Sequence, residues 1–405
     1  MIALIDCNNF FVSCERVRDP QLNGIPVIVL SGGSGCVVAM SNEAKALGIT
    51  RSAPYFKIRA MCEANGVVAL HGSHRFYRDI SDKVMQVLRE HATHGIEIYS
   101  IDEAFIVVSS DIGDPRDYGL YLVDTIFRRT GIPVSMGIST TKTLAKLAAR
   151  FAKRYPGYKG VCVIDSEAKL RKALSMSEAK DIWGIGPNVA RRLADVGVTT
   201  ALGVYELPDD KARRLLHKGG YDTWRELHGE ACIERHTPEP ENRSISVTRT
   251  LPHDTFDLDE LTRLITTYAS AATVSLRKKG YLAREITVML RTNRFHTSQI
   301  QYNPNITVKL PDHTDYTPDI CSAAVEALRS IYRKDIGFKR AGITLHHFIA
   351  KEKATRNLFE DETATDKRRR AMAVMDRMNT ASASQPAIMI ASTVSKKKRD
   401  ADDQE

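Results

Sequence analysis

The sequence predicts a multidomain chain of α/β and α+β segments, and three observations carry that prediction. Strand-like and helix-like runs interleave over residues 1–165. A shorter helical stretch follows, built around a Gly-Ile-Gly turn, and from Ser244 onward the order is β-α-β-β-α-β. Interleaving favours an α/β sheet domain, whereas the last order is that of a split βαβ unit with its helices on one face of a four-stranded sheet. At 405 residues the chain is long for one core. Its 43% hydrophobic and 26% charged residues fit a soluble globular protein rather than a disordered or fibrous one.

The first segment opens on "IALID", a short apolar strand running into Asp6, and "GIPVIVL" is a second strand after a Pro/Gly turn. "SNEAKALG" reads as a short helix, with Ser41 as its N-cap and Gly48 as its stop. "EIYSI" and "AFIVV" are β-rich and flank Asp102 and Glu103, as at a tight hairpin. "VSMGIS" is a further strand. "KTLAKLAARFAKR" places Leu144, Leu147, Ala148 and Phe151 at helical spacing with basic residues opposite. In the next segment, "IWGIGPNVARRLADVG" allows a helix from Pro187 to Gly197 after the glycine turn, the pattern of a helix-hairpin-helix. The polar, Pro-containing "ERHTPEPEN" is a linker. Beyond Phe348 the chain turns polar and reads as a mostly disordered tail with one hydrophobic cluster at "NLF".

The net charge of +9 makes a polyanionic partner plausible. Seven scattered cysteines, with no CxxC pair, point to reduced thiols in a cytosol rather than to a zinc site or a disulfide framework. No apolar run approaches the roughly 18 residues of a membrane span, and "MIALIDCNNF" lacks the pattern of a signal peptide.

The acids carry the chemistry. An adjacent Asp-Glu pair is most often a solvated turn. Asp6, however, ends an apolar strand, where an unpaired carboxylate is expensive without a partner or a metal. Three carboxylates brought together repel one another, so cations belong between them. Magnesium suits a few carboxylates completed by water and substrate phosphates, and two ions would clamp the attacking and leaving oxygens of a phosphoryl or nucleotidyl transfer. The structural alternative is that basic side chains pair with the acids; none is adjacent in sequence.

Together, "LIDCNNFFVSCE", "SNEAKALGI", "YSIDEAF", "GISTTKTLAKLA" and "WGIGP" resemble the Y-family, or translesion, DNA polymerases in their UmuC-like branch, in collinear order up to about Phe359. The resemblance implies a right-hand polymerase: palm at 1–9 and 72–165, fingers at 10–71, a helix-hairpin-helix thumb at 166–232, a linker at 233–243, a βαββαβ little finger at 244–350 and a tail at 351–405 with a clamp-like motif. It implies that Asp6 and Asp102 bridge two Mg2+ ions, that Glu103 helps hold the ion activating the primer 3′-hydroxyl, and that the Cys7 carbonyl completes the nucleotide-side ion. Asn42, Lys45 and Lys153 would meet the incoming dNTP, with Lys45 and Lys153 gripping its triphosphate. Phe11 would be the steric gate against a ribose 2′-hydroxyl, and Phe10 either lies beside the nucleotide or belongs to the core.

DNA backbone contacts are expected from the N–H groups around Gly184 and Gly186 and from Arg277, Lys278, Lys279, Arg284, Arg291, Arg294, Lys339 and Arg340. Leu358 and Phe359 stand where relatives carry a sliding-clamp peptide, with Thr355 and Arg356 replacing its glutamine and leucine, so weak clamp binding is expected. A UmuD-like dimer and RecA are the implied partners, and a cytoplasmic, nucleoid-associated location the implied one. The chain departs from the family pattern at Ser34, which replaces an acid, and at Met40, which replaces a base. The altered fingers raise a second reading, a polymerase-like DNA-binding subunit with little catalysis. A third, another palm-type enzyme such as a nucleotide cyclase, is opposed by the helix-hairpin-helix and the basic last domain.

Overall fold

Apolar alternation writes the first strand: Ala3, Ile5 and Cys7 of β1 (Ile2–Cys7) bury against one side of a sheet while Leu4 and Asp6 face the other. The computed structural model of the chain describes residues 1–32, 35–92, 94–234, 244–296, 298–353 and 362–381. The chain divides into two units, Met1–Pro238 and Glu239–Glu405, and the division falls inside the stretch read as a linker.

In the first unit, β1 leads to α1 (Phe10–Arg18), β2 (Val27–Leu30), β3 (Val37–Met40), α2 (Asn42–Ala46), α3 (Tyr55–Ala64), β4 (Val68–His71) and α4 (His74–His91). Then come β5 (Ile96–Ile98), β6 (Glu103–Val107), α5 (Pro115–Thr130), β7 (Val134–Ser139), α6 (Lys142–Arg154) and β8 (Val161–Val163). The main sheet has the order β5-β6-β1-β7-β8, and a small sheet has the order β3-β2-β4. On one face of the main sheet, Val84 and Leu88 of α4 and Leu122 and Ile126 of α5 pack on Ala3, Ile5, Ala104 and Ile106. On the other, Ala145 and Ala149 of α6 pack on Leu4 and Phe105. α6 lies so close to the sheet that a Cβ added to Gly137 would overlap the Ala149 nitrogen and the Ala145 oxygen and stand 2.7 Å from the Ala148 carbonyl carbon. Only glycine permits that approach.

The predicted caps are present. The Ser41 hydroxyl accepts from Ala44 N–H at 3.2 Å at the start of α2, and Gly48 (φ 78°) follows its end. α7 (Glu167–Ser175), α8 (Pro187–Asp195), α9 (Ala201–Tyr205) and α10 (Asp209–Leu227) complete the unit. Pro187 opens α8 and Gly197 (φ 81°) follows it. The helix expected ahead of the glycine turn is reduced to one 3-10 turn, Ala179–Asp181, because the chain folds back at once through Ile182 N–H to Ala179 C=O and Ile185 N–H to Ile182 C=O.

The second unit holds β9 (Ser244–Thr255), α11 (Leu258–Lys278), β10 (Tyr281–Thr292), β11 (Asn305–Thr314), α12 (Thr317–Ile331), β12 (Phe338–Ala350) and α13 (Glu362–Ala381). Its antiparallel sheet has the order β11-β10-β12-β9. Both α11 and α12 cover one face through Leu261, Ile265, Ala272, Ile320, Ala324 and Leu328, so the β-α-β-β-α-β expectation holds. Within the stretch read as a mostly disordered tail, α13 is an ordered helix that the sequence reading did not foresee: Met372 and Met375 are buried, and Asp376 pairs with Arg277 through a 2.7 Å contact to Nε; the rest of that stretch beyond Lys353 lies outside the described residues. Three-residue spacing puts the two methionines on one helix face, a signal hidden among the charges of "DKRRR".

Candidate polymerase active site

Strand register brings the acids together. β1 runs antiparallel to β6 with Asp6 directly opposite Glu103. Asp102 is the last residue of the turn between β5 and β6, and its carbonyl accepts from Cys7 N–H at 2.9 Å. The turn is fixed by one serine: the Ser100 hydroxyl donates to Asp102 Oδ1 at 2.6 Å and accepts from the N–H groups of Asp102 and Glu103 at 3.2 and 3.1 Å. Burial first, and then the charges of Asp102 and Asp6, push the Cys7 thiol well above its usual range. Both carboxylates therefore act on one point at the end of β1.

Their counter-charges come from α6, which packs on the sheet face that the two acids share. Lys153 Nζ stands 2.8 Å from Asp6 Oδ1, and Lys146 Nζ stands 2.6 Å from Glu103 Oε1. These are the basic partners of the structural alternative; they lie 147 and 43 residues away in sequence, which is why adjacency could not reveal them. Among the described residues no three His, Cys, Asp or Glu side chains are drawn into a ready metal cage. Lysines offset the charges of Asp6 and Glu103, while Asp102 takes the Ser100 hydroxyl. The donor set nonetheless suits a hard divalent ion: carboxylates and a backbone carbonyl are the oxygen ligands magnesium takes, and the paired lysines are partly open to solvent, 34% and 25% exposed.

A third lysine joins them. Lys45 Nζ donates to Asn9 Oδ1 at 2.6 Å and to Asn42 Oδ1 at 3.3 Å, and Asn9 Nδ2 donates to Asn42 Oδ1 at 3.1 Å. Asn9 itself holds a left-handed backbone (φ 48°) where the chain turns from β1 into α1. Burial, followed by the like charge of Lys153, lowers the pKa of Lys45, while Asp6 raises it. Lys45 and Lys153 thus repel one another beside Asp6, an arrangement that favours an anion between them. A cleft of about 240 Å³ adjoins the acids and is lined by Asp6, Glu103, Lys146, Arg150, Lys153 and Trp183.

The paired phenylalanines part company. Phe10 is 4% exposed and lies in the core. Phe11 is half-buried and lies flat on Tyr77, with ring centroids 4.4 Å apart and planes 14° from parallel; His74 meets it edge-on at 6.0 Å. Tyr77 is fully buried and donates to Glu15 Oε1 at 2.7 Å. Sequence reasoning missed Lys146, Asn9 and Tyr77, whose roles arise from contacts between distant segments, and Ser100, whose contacts with Asp102 and Glu103 are local and which a serine turn ahead of the acids could have signalled. Met40 is buried, and Ser34 lies outside the described residues.

Gly184 (φ 84°) has no room for a side chain, since a Cβ would stand 2.7 Å from Thr223 Oγ1. Gly186 caps α8 without a side-chain hydrogen bond, which leaves N–H groups of its first turn open. In the second unit Arg291 and Arg340 are cross-strand partners on the sheet face away from the helices, beside Thr287, Thr307, Thr344 and Ser246. Like charges placed directly opposite are unfavourable without an anion. Arg291 also donates to the carbonyls of Asn303 and Pro304, and Arg284 to that of Pro311. Arg294 lies 4.8 Å from the Phe295 ring centroid, Lys278 stands in the last turn of α11, and Lys339 donates to Pro252 C=O. Arg277 departs from the expectation of a DNA contact: it is 10% exposed and neutralised by Asp376 of α13, with Asp315 C=O and Thr317 Oγ1 taking its other donors. Leu358 and Phe359 lie outside the described residues.

Residues 5–150 match the impB/mucB/samB family, and residues 242–358 match the C-terminal domain of the same family. The chain is 35% identical to Protein UmuC of Salmonella typhimurium over 94% of its own length and 90% of that protein's. It is 33% identical to Protein ImpB of Salmonella typhimurium over the same shares, and 29% identical to DNA polymerase IV of Alkaliphilus oremlandii over 86% of this chain and 85% of that one. A Y-family DNA polymerase chimera of Dbh and Dpo4 shares the fold, with a TM-score of 0.70 and 22% identity over 86% of this chain and all of that one. No helix among the described residues is long and apolar enough to cross a membrane. With its acids on adjacent strands, its lysines facing them and both family domains in order, this chain belongs to the UmuC-like impB/mucB/samB family of Y-family DNA polymerases.

Proposed function

We propose that the chain is an error-prone translesion DNA polymerase, extending a primer 3′-hydroxyl by template-directed nucleotidyl transfer past damaged bases in an SOS-type mutagenic response. One observation carries the reading: Asp6 and Glu103 oppose each other in register while Lys45 and Lys153, from two different helices, converge beside Asp6. That is a carboxylate centre for divalent ions next to a cationic seat for a triphosphate. Asp6, Asp102, Glu103 and the Cys7 carbonyl would hold two Mg2+ ions, whose chemistry is to activate the primer hydroxyl and neutralise the leaving pyrophosphate.

The chain's own groups do the rest. Ser100 fixes the turn so that Asp102 and Glu103 keep their places, while Lys45 and Lys153 orient the dNTP through its phosphates. Phe11, braced on Tyr77, presents a flat ring beneath the sugar. Residues 1–9 and 72–165 form the palm, 10–71 the fingers, 166–232 the thumb and 244–350 the little finger, with primer–template DNA held through the α8 N-terminus near Gly184 and Gly186 and through Arg284, Arg291, Arg294, Lys278 and Arg340. Backbone contacts of this kind tolerate a damaged base because they do not read it.

A UmuD-like dimer, RecA and a sliding clamp reached weakly through Leu358 and Phe359 complete the reading, as does a place on the nucleoid. Extension across an abasic site, with and without a UmuD-like dimer and RecA, tests it: magnesium-dependent products are expected from the wild-type chain. The reading as a non-catalytic DNA-binding subunit is the outcome if the chain binds primer ends and yields no product under any of these conditions.

A further inference from the structure

Lys146 stands apart from the residues given a role above. It sits about two turns before Lys153 on α6, and its ammonium has two seats at once. It bonds Glu103 at 2.6 Å, and it lies over two aromatic faces, 5.0 Å from the Tyr99 centroid and 5.6 Å from that of Trp183. Those aromatic distances are within the range of a cation–π contact. The two rings meet edge to face at 5.4 Å, so the box is a built one. The other cations lining the cleft have acids of their own: Arg150 bonds Asp181 at 2.7 Å and Lys153 bonds Asp6.

We propose that Lys146 is the resident counterion of Glu103, a positioning residue that holds this carboxylate until a divalent ion displaces it, the ammonium then keeping only the seat it already has over Tyr99 and Trp183. This rests on the proposed metal site at Asp6, Asp102 and Glu103. A divalent ion and an ammonium repel strongly at hydrogen-bonding range, so both do not share one carboxylate oxygen. The aromatic box keeps the displaced ammonium close without returning it to water. Lys146 thereby lowers metal affinity before substrate arrives, and metal loading becomes dependent on the phosphates that help pull the cations in.

The sign of the effect separates this from plain structural support. Mn2+ binding to the purified full chain, free of DNA and nucleotide, is followed by the loss of the free-ion paramagnetic resonance signal. Lys146→Met is expected to bind Mn2+ about tenfold more tightly than wild type, whereas Lys146→Arg, which keeps the charge, stays within about twofold. Lys146→Gln keeps the polarity and is expected to match Lys146→Met, which guards against a folding defect in either variant; far-UV circular dichroism reports the fold. Equal or weaker Mn2+ binding by both neutral variants, with the fold intact, overturns the proposal. Asp102→Ala keeps the two hypotheses apart: if wild type and Asp102→Ala bind Mn2+ alike, the metal site itself is misplaced, and the role of Lys146 falls with it.

Discussion

Gly137→Ala is the smallest change that strikes the whole site. The added methyl on β7 would stand 2.7 Å from the Ala148 carbonyl carbon and overlap the Ala149 nitrogen and the Ala145 oxygen, where ordinary contact begins at 3.4 Å. Backbone cannot rotate out of the way as a side chain can, so α6 has to lift off the sheet. Overpacking of this kind costs about 3 kcal/mol, the upper end of the usual range. For a unit of the size of Met1–Pro238 that corresponds to a fall of about 6–12 °C in apparent melting temperature. The helix carries Lys146 and Lys153, whose ammonium groups lie 2.6 and 2.8 Å from Glu103 and Asp6; a lift of about 1 Å lengthens both contacts and shifts the triphosphate seat, for which a loss of about a hundredfold in kcat/KM is the scale of such a misplacement. Calorimetry and primer extension well below the melting point measure the two effects separately. A Gly137→Ala chain melting within 2 °C of wild type, with unchanged extension, would refute the claim that α6 is seated by this glycine.

Other outcomes follow from the same geometry. Phe11→Ala is expected to raise ribonucleotide use relative to deoxyribonucleotide use by about a hundredfold, read by single-nucleotide extension; unchanged sugar discrimination removes Phe11 from the gate. Ser100→Ala removes three hydrogen bonds from the acid turn and is expected to lower kcat about 10–100-fold, as loss of a carboxylate's supporting partner does. Asp376→Asn leaves the largely buried Arg277 guanidinium without its carboxylate, at a cost of about 3 kcal/mol in the stability of the second unit, measured by urea unfolding. Arg291→Ala and Arg340→Ala are each expected to weaken duplex binding and reduce the slope of log affinity against log salt by about one; an unchanged slope excludes that sheet face from DNA contact.

The elements with strong periodicity were legible. β1 and the β5–β6 hairpin could be read because their apolar runs end at Asp6, Asp102 and Glu103, and the last domain because its six elements follow in an order few folds share. α13 was not, since three consecutive arginines outweigh two methionines in any reading by composition, although Met372 and Met375 have helical spacing. The small β3-β2-β4 sheet was only partly visible, its three strands being four residues each. At the site, the acids stood out because a carboxylate at the end of a buried strand needs an explanation. Lys146 and Tyr77 are unremarkable in sequence: a lysine on an amphipathic helix and a tyrosine amid charges acquire meaning only from the sheet and helices that set them against Glu103 and Phe11, whereas Ser100 acts within its own turn and was legible there.

The direct test of the central claim is magnesium-dependent primer extension across an abasic site by the wild-type chain and by Asp102→Ala, with a UmuD-like dimer and RecA supplied to both. The account predicts bypass products from the wild type and none from the variant at equal DNA binding. Equal product from the two chains would contradict it.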